Sequence, residues 1–329
     1  MTIPRIPRLA ALLGMLLAAA AFLAACGSDN GSDTASTGSG QTTASGAAIQ
    51  RSADNSKTTI VVGSKNFTEQ KVLGEIYAQA FEAAGYTVRK ELNLGDEQTA
   101  LKALKGGQIS GYPEYTGTAL LSFLDVPAGK LPSSEQEAYQ QVKDGMAKQG
   151  IVAEPPTPFT SSNEVGVTKE TAEKLGLSKI SDLQGKSKDL TLYGSPECRT
   201  RRDCLLGLEQ VYGLKFKKFV PVNIDQRHEV LSSGQADLSI VFTTDPQIKR
   251  NNEVLLEDDK GMFPPYNSTF LVREDVAREA GPDLRKTIDA VNKNLTAEVM
   301  QELNARVDLD KDTPAEAATA YLKQFKLVS

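Results

Sequence analysis

Residues 111–124 read GYPEYTGTALLSFL. They continue from Gln108-Ile109-Ser110, so the run Gln108–Tyr112 predicts a strand that turns, past Pro113, into a helix over Tyr115–Leu124. Two of the nine tyrosines in a chain without tryptophan, Tyr112 and Tyr115, stand at this turn beside Thr116, Gly117 and Thr118.

The stretches on either side repeat the same unit. Upstream, the β-branched run Thr58–Val62 predicts a strand ended by Gly63-Ser64-Lys65, followed by a helix with Val72, Leu73, Ile76, Tyr77, Ala80 and Phe81 on one face and Gly85 as its stop. A short strand, Tyr86–Val88, and a helix over Glu97–Lys105, stopped by Gly106-Gly107, lead back to the opening stretch. That order, βαβαβα, specifies a parallel sheet with helices on its faces. Downstream, a helix over 134–149 is followed by Pro155, Pro156 and Pro158, which bar a central strand. A second unit then begins with strands over Glu164–Thr168, Leu190–Tyr193, Phe219–Val222 and Leu238–Phe242, and helices over 205–212 and 226–233. A strand over Thr269–Val272 and helices over 283–304 and 313–325 finish the chain. The expectation is two α/β lobes joined by two crossings, with 57–160 plus about 262–329 forming lobe I and about 161–261 forming lobe II.

The N-terminus reads as a targeting segment. Arg5 and Arg8 precede an apolar run from Leu9 to about Leu23, the layout of a secretory signal over 1–25. Leu23-Ala24-Ala25-Cys26 resembles the lipobox of bacterial lipoproteins, which implies cleavage before Cys26 and its diacylation; a plain signal peptide with an incidental cysteine is the alternative. Residues 26–56 are rich in Gly, Ser, Thr and Asp, the composition of a flexible tether or of an inconsequential tail. Removing 1–25 shifts the net charge from −5 to −7, and nothing in this balance points to nucleic-acid binding. Outside the cell, Cys198 and Cys204 are expected to pair. A zinc site lacks ligands, since His228 is the one histidine and no further cysteine remains.

Several unusual side chains share one topological address. Lys65 follows the first strand, Tyr115 and Thr118 the third, and Arg201 the strand over 190–193, while Phe242 and Thr243 close the strand over 238–242. Positions beyond the carboxyl ends of parallel strands are where open α/β sheets bind ligands, and two facing lobes make a cleft. The chemistry favours binding over catalysis. No phosphate loop or dinucleotide fingerprint follows a strand, so no cofactor is expected. His228, in a helical segment, reads as a surface or lobe-packing residue. Rings hold cations on their π faces, and fixed cations hold carboxylates.

These residues carry a resemblance. Gly63-Ser64-Lys65-Asn66-Phe67-Thr68-Glu69-Gln70, Tyr112–Thr118, Phe242–Pro246, and Leu256–Lys260 running into Phe263–Tyr266 resemble the substrate-binding proteins of ABC importers for glycine betaine, choline and carnitine. The resemblance implies a two-lobed periplasmic-binding-protein fold of type II and a box of aromatic rings around a quaternary ammonium. It implies permease and ATPase partners, a monomeric receptor without enzymatic activity, and, with the lipobox, a place on the outer face of the cytoplasmic membrane. By position, Lys65, Thr118 and Arg201 match the carboxylate side, Gln70 lies in a block that supplies a contact in some members, and Tyr115, Phe242 and Tyr266 match three walls of the box. Asn163 stands where the family usually carries Tyr, so a fourth wall is missing and a bulkier or aromatic ligand becomes an alternative. Thr116 or Thr118 either caps the helix or donates to the ligand. Two other classes stay open: an enzyme on the same scaffold, as in porphobilinogen-polymerising deaminases, and a surface interaction lipoprotein.

Overall fold

The structure is a computed structural model that describes residues 48–127 and 130–328. The expected signal segment, Cys26 and most of the expected tether lie outside the described residues. Two five-stranded sheets organise the rest. The first has the order β2-β1-β3-β10-β4, with β1 Thr59–Gly63, β2 Thr87–Glu91, β3 Gly111–Tyr115, β4 Ile151–Ala153 and β10 Ser268–Arg273. The second has the order β7-β6-β8-β5-β9, with β5 Asn163–Thr168, β6 Thr191–Gly194, β7 Lys218–Pro221, β8 Leu238–Phe242 and β9 Glu253–Leu256.

Both sheets follow one plan. β1 pairs parallel with β2 and β3, while β10 runs antiparallel to both β3 and β4; likewise β6 pairs parallel with β7 and β8, and β5 runs antiparallel to both β8 and β9. The expected mainly parallel sheets are therefore mixed, with one reversed strand each. Each reversed strand is the first that the chain lays down after crossing between sheets. The two crossings run side by side, with Thr160 bridged to Asn267 and the Ser161 N–H donating to the Tyr266 carbonyl at 3.0 Å.

The long helix Thr68–Ala84 covers the first sheet and ends at Gly85, whose φ of 102° only glycine adopts without strain. Its buried face meets helices Pro282–Asn292 and Pro314–Gln324 in one core. The tyrosine hydroxyls inside that core are satisfied: Tyr77 donates to Asn292 Oδ1 at 2.7 Å and Tyr321 to the Val291 carbonyl at 2.6 Å.

Some expected elements are moved. β3 spans Gly111–Tyr115 rather than 108–112, so Tyr115 ends the strand instead of opening a helix. Pro113 is tolerated in this inner strand for a geometric reason. It lies opposite Phe270, between ladder positions where Arg273 N donates to Ser110 O and Thr116 N to Asn267 O, so its nitrogen points toward β1, whose pairing with β3 is confined to Val62 and Gly111. The expected helix over Tyr115–Leu124 is a single turn, Thr116–Thr118, running into a π-helical turn at Ala119–Phe123. The helix expected over 226–233 is reduced to Glu229–Ser232, and the one over 283–304 is two, Pro282–Asn292 and Ala297–Asp308. Strands β4 and β9 and helices Lys169–Leu175 and Glu274–Ala280 were not expected.

Candidate functional site

A cavity opens between the carboxyl ends of the two sheets. The cavity volume is about 60 Å³. Lys65, Tyr115, Thr118, Asn163, Arg201, Phe242 and Tyr266 all line it. Gln70 does not: it is buried behind the wall, where its Oε1 accepts from the Lys65 backbone N–H at 3.3 Å.

On the side of the first sheet, Tyr115 projects from the end of β3 and its hydroxyl donates to Glu69 Oε1 at 2.6 Å. Asn304 donates to the other Glu69 oxygen at 2.9 Å. Burial raises the Glu69 pKa, and the hydroxyl and amide donors around it offset that only in part. Lys65 is buried, pairs with Glu114, and sets its ammonium 4.8 Å from the Tyr115 ring centre and 5.7 Å from that of Phe67. Phe67 also lines the cavity, 5.2 Å from Phe242 and 6.3 Å from Tyr115, centre to centre. The site thus has a fourth ring, supplied from a different position than the one Asn163 occupies.

On the side of the second sheet, the segment between Cys198 and Cys204 carries Arg201 and Asp203. The two cysteines are bonded, with Cα atoms 5.2 Å apart. Arg201 Nε donates to Asp203 Oδ1 at 2.8 Å and Nη2 to Oδ2 at 2.5 Å, while Nη1 reaches across the cleft to Glu97 Oε2 at 2.9 Å. A longer contact, 3.5 Å, joins Nη2 to Thr118 Oγ1. Burial works against charge on Arg201, but Asp203 and Glu97 outweigh it and raise its pKa well above the usual value; the same pairing lowers that of Asp203 against its own burial. Asn163 Nδ2 donates to the Asp203 carbonyl at 3.1 Å, and the Tyr266 hydroxyl to Asp203 Oδ2 at 2.5 Å.

Neither threonine caps the helical turn, because Tyr115 occupies the cap position without a side-chain bond. Thr116 donates to the Pro265 carbonyl at 2.7 Å and Thr118 faces the cavity. Gly117 meets the Tyr266 ring: an added Cβ would lie 2.5 Å from it. The glycine therefore admits a wall of the cavity.

Phe242 ends β8 with the Arg227 guanidinium 4.7 Å from its ring centre. Arg227 grips Asp245 through Nε at 2.7 Å and Nη2 at 2.5 Å. His228 is buried beside it, with Nε2 2.8 Å from Asp245 Oδ2 and Nδ1 2.7 Å from Glu253 Oε2. Burial alone would lower the His228 pKa, yet the two carboxylates raise it. Both ring nitrogens are thus engaged within the second lobe, away from the cavity lining.

Phe67 and Glu97 are the functional candidates that the sequence reading passed over. Phe67 lies inside a motif that was singled out, two residues after Lys65. Glu97 opens a helix, and nothing local announces that it meets Arg201 more than a hundred positions later.

The family model for the substrate-binding domain of ABC-type glycine betaine transport systems matches residues 58–324. The chain is 32% identical over 281 residues to the glycine-betaine-binding protein of Pseudomonas aeruginosa, covering 82% of this chain and 89% of that one. It is 28% identical over 275 residues to the ergothioneine transport permease/ergothioneine binding protein of Helicobacter pylori, covering 82% of this chain but 48% of that longer protein. A solved structure titled as a glycine betaine/carnitine/choline ABC transporter superposes with a TM-score of 0.65 at 25% identity, over 81% of this chain and 99% of that one. The two mixed sheets, the paired crossings and the ring-lined cleft are those of a two-lobed, type II periplasmic-binding-protein fold. The chain belongs to the family of substrate-binding domains of ABC-type glycine betaine transport systems, and is a solute receptor of an ABC importer rather than an enzyme.

Proposed function

We propose that the receptor holds the quaternary-ammonium head of a glycine betaine, choline or carnitine type osmolyte among Phe67, Tyr115, Phe242 and Tyr266. The observation that carries this reading is that two of these rings, Tyr115 and Tyr266, donate their hydroxyls to buried carboxyl groups, Glu69 and Asp203. A phenol that donates to such an acceptor has a more electron-rich ring, and so a stronger attraction for a cation on its face. Lys65, Thr118, Asn163 and Arg201 complete the polar lining in this reading, and Gln70 acts through the backbone of Lys65. A bulkier ligand is the second reading: Asn163 replaces a ring at the cavity wall, and the Helicobacter pylori relative is named for ergothioneine.

In the same proposal the chain is a monomer, lobe I comprises 57–160 with about 262–329, and lobe II about 161–261. Cys26 is the lipidated N-terminus of the mature protein, so the receptor works from the outer face of the cytoplasmic membrane and hands its ligand to the permease that the ATPase drives. Calorimetric titration against glycine betaine, choline, carnitine and ergothioneine tests the ligand class, with Tyr115→Ala expected to abolish binding of whichever is bound. Failure of all four to bind refutes the ligand assignment. Cys26→Ala should release the protein from the membrane, and a mutant that stays membrane-bound refutes the anchor.

A further inference from the structure

The state of Arg201 limits what the polar end of the cleft can accept. A guanidinium has five N–H groups. Three of them are hydrogen-bonded, two to Asp203 and one, at the longer distance, to Thr118, while Nη1 lies 2.9 Å from Glu97 Oε2 in an ion pair. The two that remain are both on Nη1, which the Glu97 carboxylate already faces, so neither edge of the guanidinium is open for the bidentate pair by which arginine usually recognises a carboxylate. The other cations nearby are also partnered, Lys65 by Glu114 and Arg227 by Asp245. Arg201 takes two carboxylates where one would neutralise it, and Glu69 behind Tyr115 has only hydroxyl and amide donors. The buried groups around the cleft therefore carry more carboxyls than cations. A ligand with net positive charge complements that excess, whereas a zwitterion brings another carboxylate to a guanidinium edge already filled.

Resting on the quaternary-ammonium reading, we infer that Glu97 is a specificity-determining residue, and that by filling the cleft-facing edge of Arg201 it makes the receptor prefer a quaternary ammonium without a carboxylate, an ammonium alcohol of the choline kind, over a betaine. Glu97 sits at the start of helix Glu97–Lys105 in lobe I, so this contact forms where the lobes meet. It adds charge selection to closure: a ligand carboxylate competes with Glu97 for Arg201, and a ligand hydroxyl does not.

The test titrates the purified full chain in detergent with choline, glycine betaine and glycine betaine methyl ester, which keeps the ammonium and removes the charge on the carboxylate. Choline and the ester are expected to bind at least tenfold more tightly than glycine betaine. Glu97→Gln is expected to cut the choline-to-betaine preference about tenfold, with its thermal melting compared to the parent chain as the folding control. Glycine betaine binding as tightly as the ester or more so overturns the inference without any variant. An unchanged preference in a folded Glu97→Gln protein overturns the role of Glu97. Binding of none of the three removes the ammonium reading itself, a result distinct from either.

Discussion

Phe67 and Asn163 exchange the roles that their positions suggest. Asn163 stands where a ring is expected, but its amide is committed to the Asp203 carbonyl, so it braces the segment that presents Arg201. Phe67 supplies a ring from the other lobe. Each ring face contributes roughly 0.5–2 kcal/mol to a bound ammonium, so Phe67→Ala should weaken the preferred ligand about tenfold in a calorimetric titration. Asn163→Tyr separates the two accounts more sharply. If a wall were simply missing, the tyrosine would tighten binding; because the amide is a tether, the substitution is expected to weaken binding instead, by about tenfold. Tyr115 and Phe242 could be placed at the cavity wall because each stands at a strand end, and Tyr266 only through the resemblance of its block to the family. Phe67 could not be placed at the cavity from sequence, since nothing in one sequence says which way a loop ring turns. Of the partners of Arg201, Asp203 lies two residues away in the chain, whereas Glu97 comes near it only through the fold.

At the level of elements, the disulfide-closed segment is the part of the site that depends least on regular structure. It lies between β6 and helix Leu205–Tyr212, and it owes its shape to the Cys198–Cys204 bond, to Asn163 and to the short 3₁₀ turn Pro196–Arg199. Closing so small a loop contributes about 2–3 kcal/mol in the chain-entropy account. Cys198→Ser/Cys204→Ser should lower the unfolding free energy by that amount in urea titrations, and ligand affinity should fall with it because Arg201 and Asp203 lose their frame. Strands rich in β-branched residues and closed by a turn, such as β1 and β8, could be read directly. β4 and β9 could not, since three or four residues at a sheet edge carry too little periodicity to show. Pro113 hid the true extent of β3, because a proline argues against a strand unless its neighbour's pairing has already ended.

For the molecule as a whole, the lobes are held together by contacts on both sides of the cleft. Arg201 meets Glu97 at the mouth, and Arg202 meets Asp125 and the Val126 carbonyl beside it. On the far side Gln247 donates to Asp308 at 2.9 Å and Asn304 to the Thr244 carbonyl at 3.2 Å. Behind Phe242, the Arg227–Asp245–His228–Glu253 cluster makes the second lobe sensitive to pH. The folded His228 pKa is raised, so its stabilising contribution is complete below the unfolded value of about 6.5 and is lost as pH rises through the folded value. Glu164, pushed up to about 8 by burial and then by Asp258, loses its contribution in the same direction between about 4.5 and 8. Scanning calorimetry from pH 6 to 9 should show melting temperature falling toward the alkaline end, with a shallower fall in His228→Gln and an independent one in Glu164→Gln. The repeat of βαβ units made two lobes and two crossings legible in the sequence. That each sheet is completed by a reversed strand was not, because the pairing of β10 between β3 and β4 joins segments far apart in the chain. This has a consequence for how the protein is made. During synthesis all five strands of the second sheet, residues 163–256, emerge before β10, so that sheet has its full set of partners while β3 and β4 still wait with bare edges. The lobe whose sequence begins first is therefore the last to be sealed. Substitutions that slow the arrival of β10 are faults of assembly, leaving open strands that other chains can pair with before there is a cleft to fill.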